Sequence, residues 1–296
     1  MALNITPVEN HREREKGVIV YPVFSRRSEG LSIGINLFPD KKKCQFDCPY
    51  CEVFPFSGTR EISPFGFVVS NAKFSLEQMQ TDLYTAIENA KEQNIPIKDI
   101  CFSGNGEPTL SPHFPKALKL AEKIRQETLV VSKTLVVSDT SSKIVVITNG
   151  AGFLNPQIFS LLKKTAVSSP LDIWLKLDAG TPKWYQKMNR SALSFDKLYK
   201  KMKKFTDNAP VTIQTMICAI NEEIPAEAET IIWEILVCKL AEKGKVRKVQ
   251  LYGKARPAPE DPLASPLPAE YLEKRAESLR KMLTDRELIV PVEVYL

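Results

Sequence analysis

Three cysteines crowded into one short segment, CQFDCPYC, constrain this chain more than any other feature. Cys44, Cys48 and Cys51 follow the spacing C-x3-C-x2-C, and an aromatic residue, Tyr50, immediately precedes the last of them. A 4Fe-4S cube takes one ligand at each iron, and thiolates are the usual protein donors. Three thiols in one loop would hold three irons and leave the fourth open. An open iron can bind a second molecule, which separates a catalytic cluster from one that only carries electrons. The competing reading is a zinc site or three unrelated thiols. Structural zinc usually takes four ligands, commonly as two separated pairs. The chain has no second CxxC and no His pair, its histidines being His11 and His113.

Composition bounds the kind of chain that carries this loop. At 296 residues it exceeds a typical single domain, yet α/β barrels reach this size as one unit. An apolar share of 43% suffices for a sizeable core. Lys plus Arg number 41 against 35 acids, a net charge of +6. That excess suits nucleic acid without demanding it, and much of it describes a solvated surface. The opening MALNITPVENHRER is polar and charged, unlike a signal peptide, and no apolar run is long enough to span a bilayer. Six cysteines, three of them in one loop, are not a disulfide framework. An oxygen-labile cluster needs a reducing compartment, so the expected location is the cytoplasm, with no membrane partner.

Strand and helix patterns alternate along the chain. Residues 1–16 read as a polar arm, and residues 31–37 as a first strand running into the cysteine loop. Just upstream, Ser25-Arg26-Arg27 offers paired guanidiniums that suit a phosphate or carboxylate, or serve as plain surface charge. Residues 52–70 are rich in Pro, Phe and Gly and read as a loop or short hairpin. Ser75 fits a helix N-cap, followed by Leu76, Met79, Leu83, Ile87 and Ala90 at helical spacing. Strands are expected at 99–103, 143–148, 172–177, 211–218 and 248–252, with helices near 114–127, 156–163, 194–205 and 226–243. A tandem near-repeat, LVVSKT then LVVSDT, occupies 129–140 and carries no assigned function. Six strands alternating with helices imply parallel βαβ units with right-handed crossovers. The expected fold is therefore α/β, a partial (βα)6 TIM-like barrel of parallel strands with a small C-terminal extension. Its divisions are an arm or cap at 1–30, the barrel at 31–256, and at 257–296 a Pro-rich linker followed by a helix and a strand.

In such a barrel ligands gather where strands end, and the polar groups of this sequence fall there. Gly104-Asn105-Gly106-Glu107-Pro108 follows the second strand, where glycines let the backbone approach a ligand closely. Thr148-Asn149-Gly150 closes the third. Lys176 and Asp178 end the fourth and point the same way by alternation. They form either an internal ion pair or a grip on ligand oxygens. Gln214 shares a face of the fifth strand with Met216 and is a candidate polar contact, while Tyr252, Lys254 and Arg256 follow the sixth. Cys101 and Cys238 read as core thiols, and Cys218 sits on the functional rim.

The cysteine spacing resembles that of the radical S-adenosylmethionine (SAM) enzymes. The resemblance implies that the open iron chelates the amine and carboxylate of SAM and that Tyr50 lies near the adenine. GNGEP resembles the superfamily's GGE motif, which holds the methionine amino group; Gly106 and Glu107 match, and Asn105 replaces the first glycine. Asn149 would face SAM, and Lys176 and Asp178 fall where polar residues contact the ribose hydroxyls. The implied cofactors are a 4Fe-4S cluster and SAM, and the implied electron donor is a flavodoxin or ferredoxin. The runs PVFSRRSEGLSIGINLFP, SGNGEPTL, TNG, KLDAG and LYGKARPAPED, covering roughly 20–265, are similar to the branch of wyosine-type tRNA-modifying synthases. Two substrate classes stay open, a tRNA base and a small molecule or peptide. A redox or sensor protein without SAM turnover is the non-catalytic alternative.

Overall fold

Short aliphatic runs bounded by turn residues form the strands of this chain, and amphipathic stretches between them form the helices. The computed structural model describes residues 17–40, 42–53, 73–130, 142–256, 258 and 263–296. The arm expected at 1–16, most of the loop expected at 52–70, the bulk of the tandem repeat and residues 257 and 259–262 of the Pro-rich linker lie outside the described residues. The chain divides into two compact units, Met1–Cys44 with Pro55–Ile147 and Gln45–Phe54 with Thr148–Leu296.

In the first unit β1 (Val20–Ser25) pairs antiparallel with β2 (Gly30–Ile35), Val20 facing Ile35 and Ser25 facing Gly30. The helix α1 (Leu76–Glu92) leads to β3 (Ile97–Phe102), which runs parallel to β2 with Ile33 beside Ile100. The helix α2 (Phe114–Arg125) leads to β4 (Lys143–Thr148), parallel to β3 with Cys101 beside Val145. Ser75 caps α1 as expected, its hydroxyl accepting from the Gln78 amide at 3.2 Å, and Met79, Leu83, Ala86, Ile87 and Ala90 form the buried face. Past Arg125 the chain continues as a π-turn, Gln126–Val130, into the start of the near-repeat. The sequence reading has no strand before residue 31, whereas β1 forms there. Pro22 within VYPVFS argues against a central strand, but β1 is an edge strand, where a missing N–H is tolerated. Ser25-Arg26-Arg27 turns out to enter the turn between β1 and β2, with the Ser28 amide bound to Ser25 Oγ at 3.2 Å.

The second unit continues the alternation with α3 (Pro156–Ser168), β5 (Leu171–Lys176), α4 (Pro182–Asn189), α5 (Phe195–Thr206) and β6 (Val211–Ile217). It goes on with β7 (Ala219–Ile220), α6 (Glu227–Ala241), β8 (Val246–Gly253), β9 (Ala264–Ser265), α7 (Ala269–Thr284) and β10 (Val292–Tyr295). β5, β6, β8 and β10 are neighbours in that order and all parallel, with Lys176 beside Gln214, Gln214 beside Gln250, and Leu251 beside Val294. The C-terminal strand thus joins the sheet next to β8, while β7 and β9 form a separate antiparallel pair. All six parallel strands expected from the sequence form within a few residues of their expected bounds, and the class is α/β with mostly parallel strands. One helix escaped the sequence reading. PKWYQKMN is too short to show a full apolar period, yet Thr181 Oγ1 caps the Trp184 amide at 3.2 Å and Pro182 occupies the first turn, where its fixed φ suits a helix.

One buried polar group of the second unit bonds across strands. Asp172 on β5 is 2% exposed, accepts from Trp174 Nε1 at 3.0 Å and Thr212 Oγ1 at 2.9 Å, and lies 3.4 Å from the Arg247 guanidinium. Removing a buried acceptor strands its donors, each at a cost of about 1–3 kcal/mol. Asp172→Ala is expected to lower unfolding free energy by about 3 kcal/mol, and Asp172→Asn by less, in urea titrations followed by circular dichroism.

Candidate active site

In the first unit the chain entering the cysteine loop is clamped by the GNGEP turn. Lys43 forms a parallel bridge with Gly106, its amide donating to the Asn105 carbonyl at 3.0 Å and its carbonyl accepting from the Glu107 amide at 2.9 Å. A side chain at Gly106, whose φ is +151°, would collide with the Lys43 carbonyl oxygen. Gly104, at φ +126°, passes close to Asn36, where an added Cβ would sit 2.7 Å from Oδ1. That oxygen accepts from the Asn105 and Phe38 amides, each at 3.1 Å, and the Asn36 amide nitrogen donates to the Val18 carbonyl at 3.2 Å. Asn105 Nδ2 in turn donates to the Phe38 carbonyl at 3.1 Å. The side chain of Asn105 therefore works inside the turn, which explains how asparagine can replace glycine here. Glu107 is buried at 3% exposure and accepts from both the amide and the hydroxyl of Thr109, at 3.3 and 2.5 Å. Asn36 escaped the sequence reading because nothing local marks it as the partner of a turn far along the chain.

In the second unit the rest of the cysteine loop meets the ends of β5 and β6. The Cys51 amide closes a turn on the Cys48 carbonyl at 3.0 Å. Tyr50 is buried and donates its hydroxyl to Asp178 Oδ2 at 2.5 Å. Asp178 also accepts from Asn189 Nδ2 at 2.9 Å and from the Met216 amide at 2.9 Å, and Lys176 Nζ lies 3.2 Å away. The alternation argument for Lys176 and Asp178 thus leads to an ion pair. Lys176 Nζ further donates to the Tyr252 hydroxyl at 2.7 Å and stands 4.8 Å from the Tyr50 ring centroid. Burial alone would lower the Lys176 pKa, but Asp178 and Tyr252 together carry it above its ordinary value, so the amine stays charged. Burial, and then the neighbouring Asp178 charge, push the Tyr50 phenol well above its usual range, which keeps it a donor. A cavity of about 10 Å3, room for about one water, lies against Phe46, Lys176, Asp178 and Asn189.

Other expected residues fall as follows. Asn149 is buried and its Oδ1 accepts from the Ala151 amide at 2.9 Å, an Asx-type turn after β4. Gln214 is buried at 1% exposure and donates to Gln250 Oε1 at 2.7 Å across β6 and β8. Arg256 pairs with Glu52, the residue after Cys51, at 3.0 Å. Cys101, Cys218 and Cys238 are buried, whereas Cys44, Cys48 and Cys51 are only partly so, and none of the six is in a disulfide. Burial pushes the Cys48 thiol up to about 11, so a metal would have to displace its proton on binding. Among the described residues no three His, Cys, Asp or Glu side chains converge as a single metal ion requires. A cube asks for something different, one thiolate per iron, and three thiols outside any disulfide on one short loop fit that donor set.

Two residues that the sequence reading missed complete the second unit's network. Asn189 ends α4 and donates to Asp178, to the Tyr50 hydroxyl at 3.2 Å and to Cys48 Sγ at 3.4 Å. Glu229 on α6 holds the start of α4, accepting from the amides of Gly180 and Thr181 and from Thr181 Oγ1 at 2.5 Å. Gly180 packs so closely on α6 that an added Cβ would press on the Trp233 backbone. No local pattern distinguishes these two from ordinary surface-helix polar residues.

Residues 41–233 match the radical SAM superfamily. Two curated proteins of Helicobacter pylori, each called a UPF0026 protein, are 28% and 30% identical to the chain over 192 and 195 residues, or 62% and 63% of it. The chain spans about half the length of these relatives, 53% and 54%. Among solved structures, Streptococcus suis SuiB bound to the precursor peptide SuiA is similar over 91% of this chain and 50% of its own, with a TM-score of 0.62 and 14% identity. TYW1 with a bound lysine-pyruvate adduct is similar over 84% of this chain and 73% of its own, with a TM-score of 0.51 and 14% identity. Similarities of this kind show the fold, and they agree with the partial TIM-like α/β barrel expected from the sequence.

No helix among the described residues is long and apolar enough to cross a membrane. Gly106→Ala is expected to destabilise the chain by more than about 1 kcal/mol, since alanine is strained at positive φ and must displace Lys43. Thermal denaturation of the iron-free protein measures this.

Proposed function

The chain belongs to the radical SAM superfamily, and on that premise we propose that Cys44, Cys48 and Cys51 hold a 4Fe-4S cluster whose open iron binds SAM. The observation that carries this reading is the partly buried cysteine trio, outside any disulfide and within the matched residues, with Tyr50 tied to Asp178 beside it. A bound, reduced cluster would supply one electron to the SAM sulfonium, the chemistry by which the C–S bond would break to methionine and a 5′-deoxyadenosyl radical able to take hydrogen from a substrate. The chain's own share is positioning and the exclusion of water and oxygen. GNGEP sets the backbone before Cys44, and in this reading the turn receives the methionine end of SAM. Asn149, Lys176, Asp178 and Gln214 belong to the same proposal as polar groups at strand ends, with Lys176 and Asp178 acting as a pair. An external one-electron donor of the flavodoxin or ferredoxin kind and a reducing cytoplasmic setting go with it.

For the substrate, the sequence runs similar to wyosine-type synthases favour a tRNA base. The second reading is a peptide or small molecule, favoured by the likeness to SuiB, which binds a precursor peptide. A protein with an iron–sulfur cluster but no SAM turnover is the outcome that would overturn catalysis.

The test is anaerobic. The protein is reconstituted with iron and sulfide and given SAM and dithionite, and 5′-deoxyadenosine is quantified against Cys48→Ala. Product in the parent protein and at least a hundredfold less in the variant is expected. A fully loaded parent that forms no product and shows no SAM-induced change in its EPR signal refutes the reading. Gel shift with bulk tRNA addresses the substrate, because phosphate binding weakens steeply and log-linearly with salt. A salt-sensitive shift is expected for a tRNA substrate, and none for a peptide or small-molecule one.

A further inference from the structure

Asn189 has no part in the reading above, and its surroundings give it one. It is 2% exposed at the end of α4, and its carbonyl accepts from the Asp47 amide at 2.9 Å, so its backbone also anchors the cysteine loop. Its side-chain nitrogen faces three acceptors, Asp178 Oδ2, the Tyr50 hydroxyl and Cys48 Sγ, at 2.9, 3.2 and 3.4 Å. An amide carries a donor NH2 and an acceptor oxygen, and the hydrogen-bond network decides which of them faces which partner. Here the network does decide. An ionised carboxylate can only accept, so the NH2 rather than the oxygen must face Asp178. Tyr50 has already committed its proton to the same carboxylate, so its oxygen too can only accept from Asn189. The second amide proton is therefore directed at the Tyr50 oxygen and the Cys48 sulfur. The helix that carries Asn189 is held at its other end by Glu229, so neither end of α4 is loose.

We propose that Asn189 is a positioning residue for the cluster, donating an N–H···S hydrogen bond to the Cys48 thiolate and stabilising added negative charge on that sulfur. This rests on the reading that Cys48 is a cluster ligand. Hydrogen bonds to the sulfurs are among the levers that set iron–sulfur reduction potentials. Asp178 acts one step further out, by fixing which face of the amide the sulfur meets.

The test uses the full chain, reconstituted anaerobically, with iron and sulfide counted. Asn189→Leu keeps the side chain's shape and removes the donor. Its midpoint potential, from an EPR-monitored redox titration, is expected to fall by up to a tenfold change in the reduction equilibrium, about 59 mV for one electron. Asn189→Gln, which retains the amide, is expected to recover part of the shift. Should Asn189→Leu fail to load, pulsed EPR on the reduced parent protein, labelled with 15N at the asparagine amides, decides the matter. It is expected to show coupling to one side-chain nitrogen. An unchanged midpoint in loaded Asn189→Leu, or no asparagine coupling in the parent, overturns the proposal. A parent protein that takes up no cluster overturns the underlying reading instead, and the role of Asn189 falls with it.

Discussion

At the ends of β5 and β6 in the second unit, four segments converge on one buried carboxylate. The Asp178 side chain has no exposed surface. An ion removed from water costs several kcal/mol even after relaxation, unless charge and hydrogen bonds replace the lost hydration. Here the replacement comes from Lys176 on β5, Met216 on β6, Asn189 at the end of α4 and Tyr50 in the cysteine loop. One buried carboxylate holds them in a common arrangement, because none can move without leaving one of its oxygens short of a donor. The aromatic before the last cysteine is thereby fixed through its hydroxyl, a constraint separate from any stacking its ring provides.

The first unit reaches a similar result without charge. Asn36, just past β2, uses its oxygen to organise the Asn105 and Phe38 amides and its nitrogen to reach the Val18 carbonyl. The GNGEP turn packs against it at distances that only glycine backbone permits, and pairs with Lys43 immediately before Cys44. Glycine lets two pieces of backbone approach closely enough to hydrogen-bond, and the positive φ values at Gly104 and Gly106 serve that approach.

The elements legible in the sequence were those with a strong local period. The six parallel strands are runs of aliphatic and β-branched residues, and α1 announces itself by a Ser cap and apolar residues at helical spacing. The elements that were not legible break a local rule for a tertiary reason. Strand β1 tolerates Pro22 because it lies at an edge, and α4 is too short to show a period but is held at both ends by contacts far away in sequence. The same division applies to the site. Lys176 and Asp178 could be placed on one face by alternation, but whether they grip a ligand or each other depends on burial, which no local pattern encodes. Burial favours the pair.

By itself, the sequence determined the elements of the candidate site: three thiols in one loop, a glycine-rich turn after the second parallel strand, and an α/β alternation that puts polar residues at strand ends. Those follow from residue type and spacing, which are local. Only the tertiary structure decided that Asn36 would organise the GNGEP turn, that Tyr50 would be held by Asp178, and that Asn189 would aim an amide proton at Cys48. The reason is physical. A hydrogen bond between residues 139 or 141 positions apart leaves no periodic trace in either segment, and it exists only once packing has removed the water that would otherwise compete for both partners.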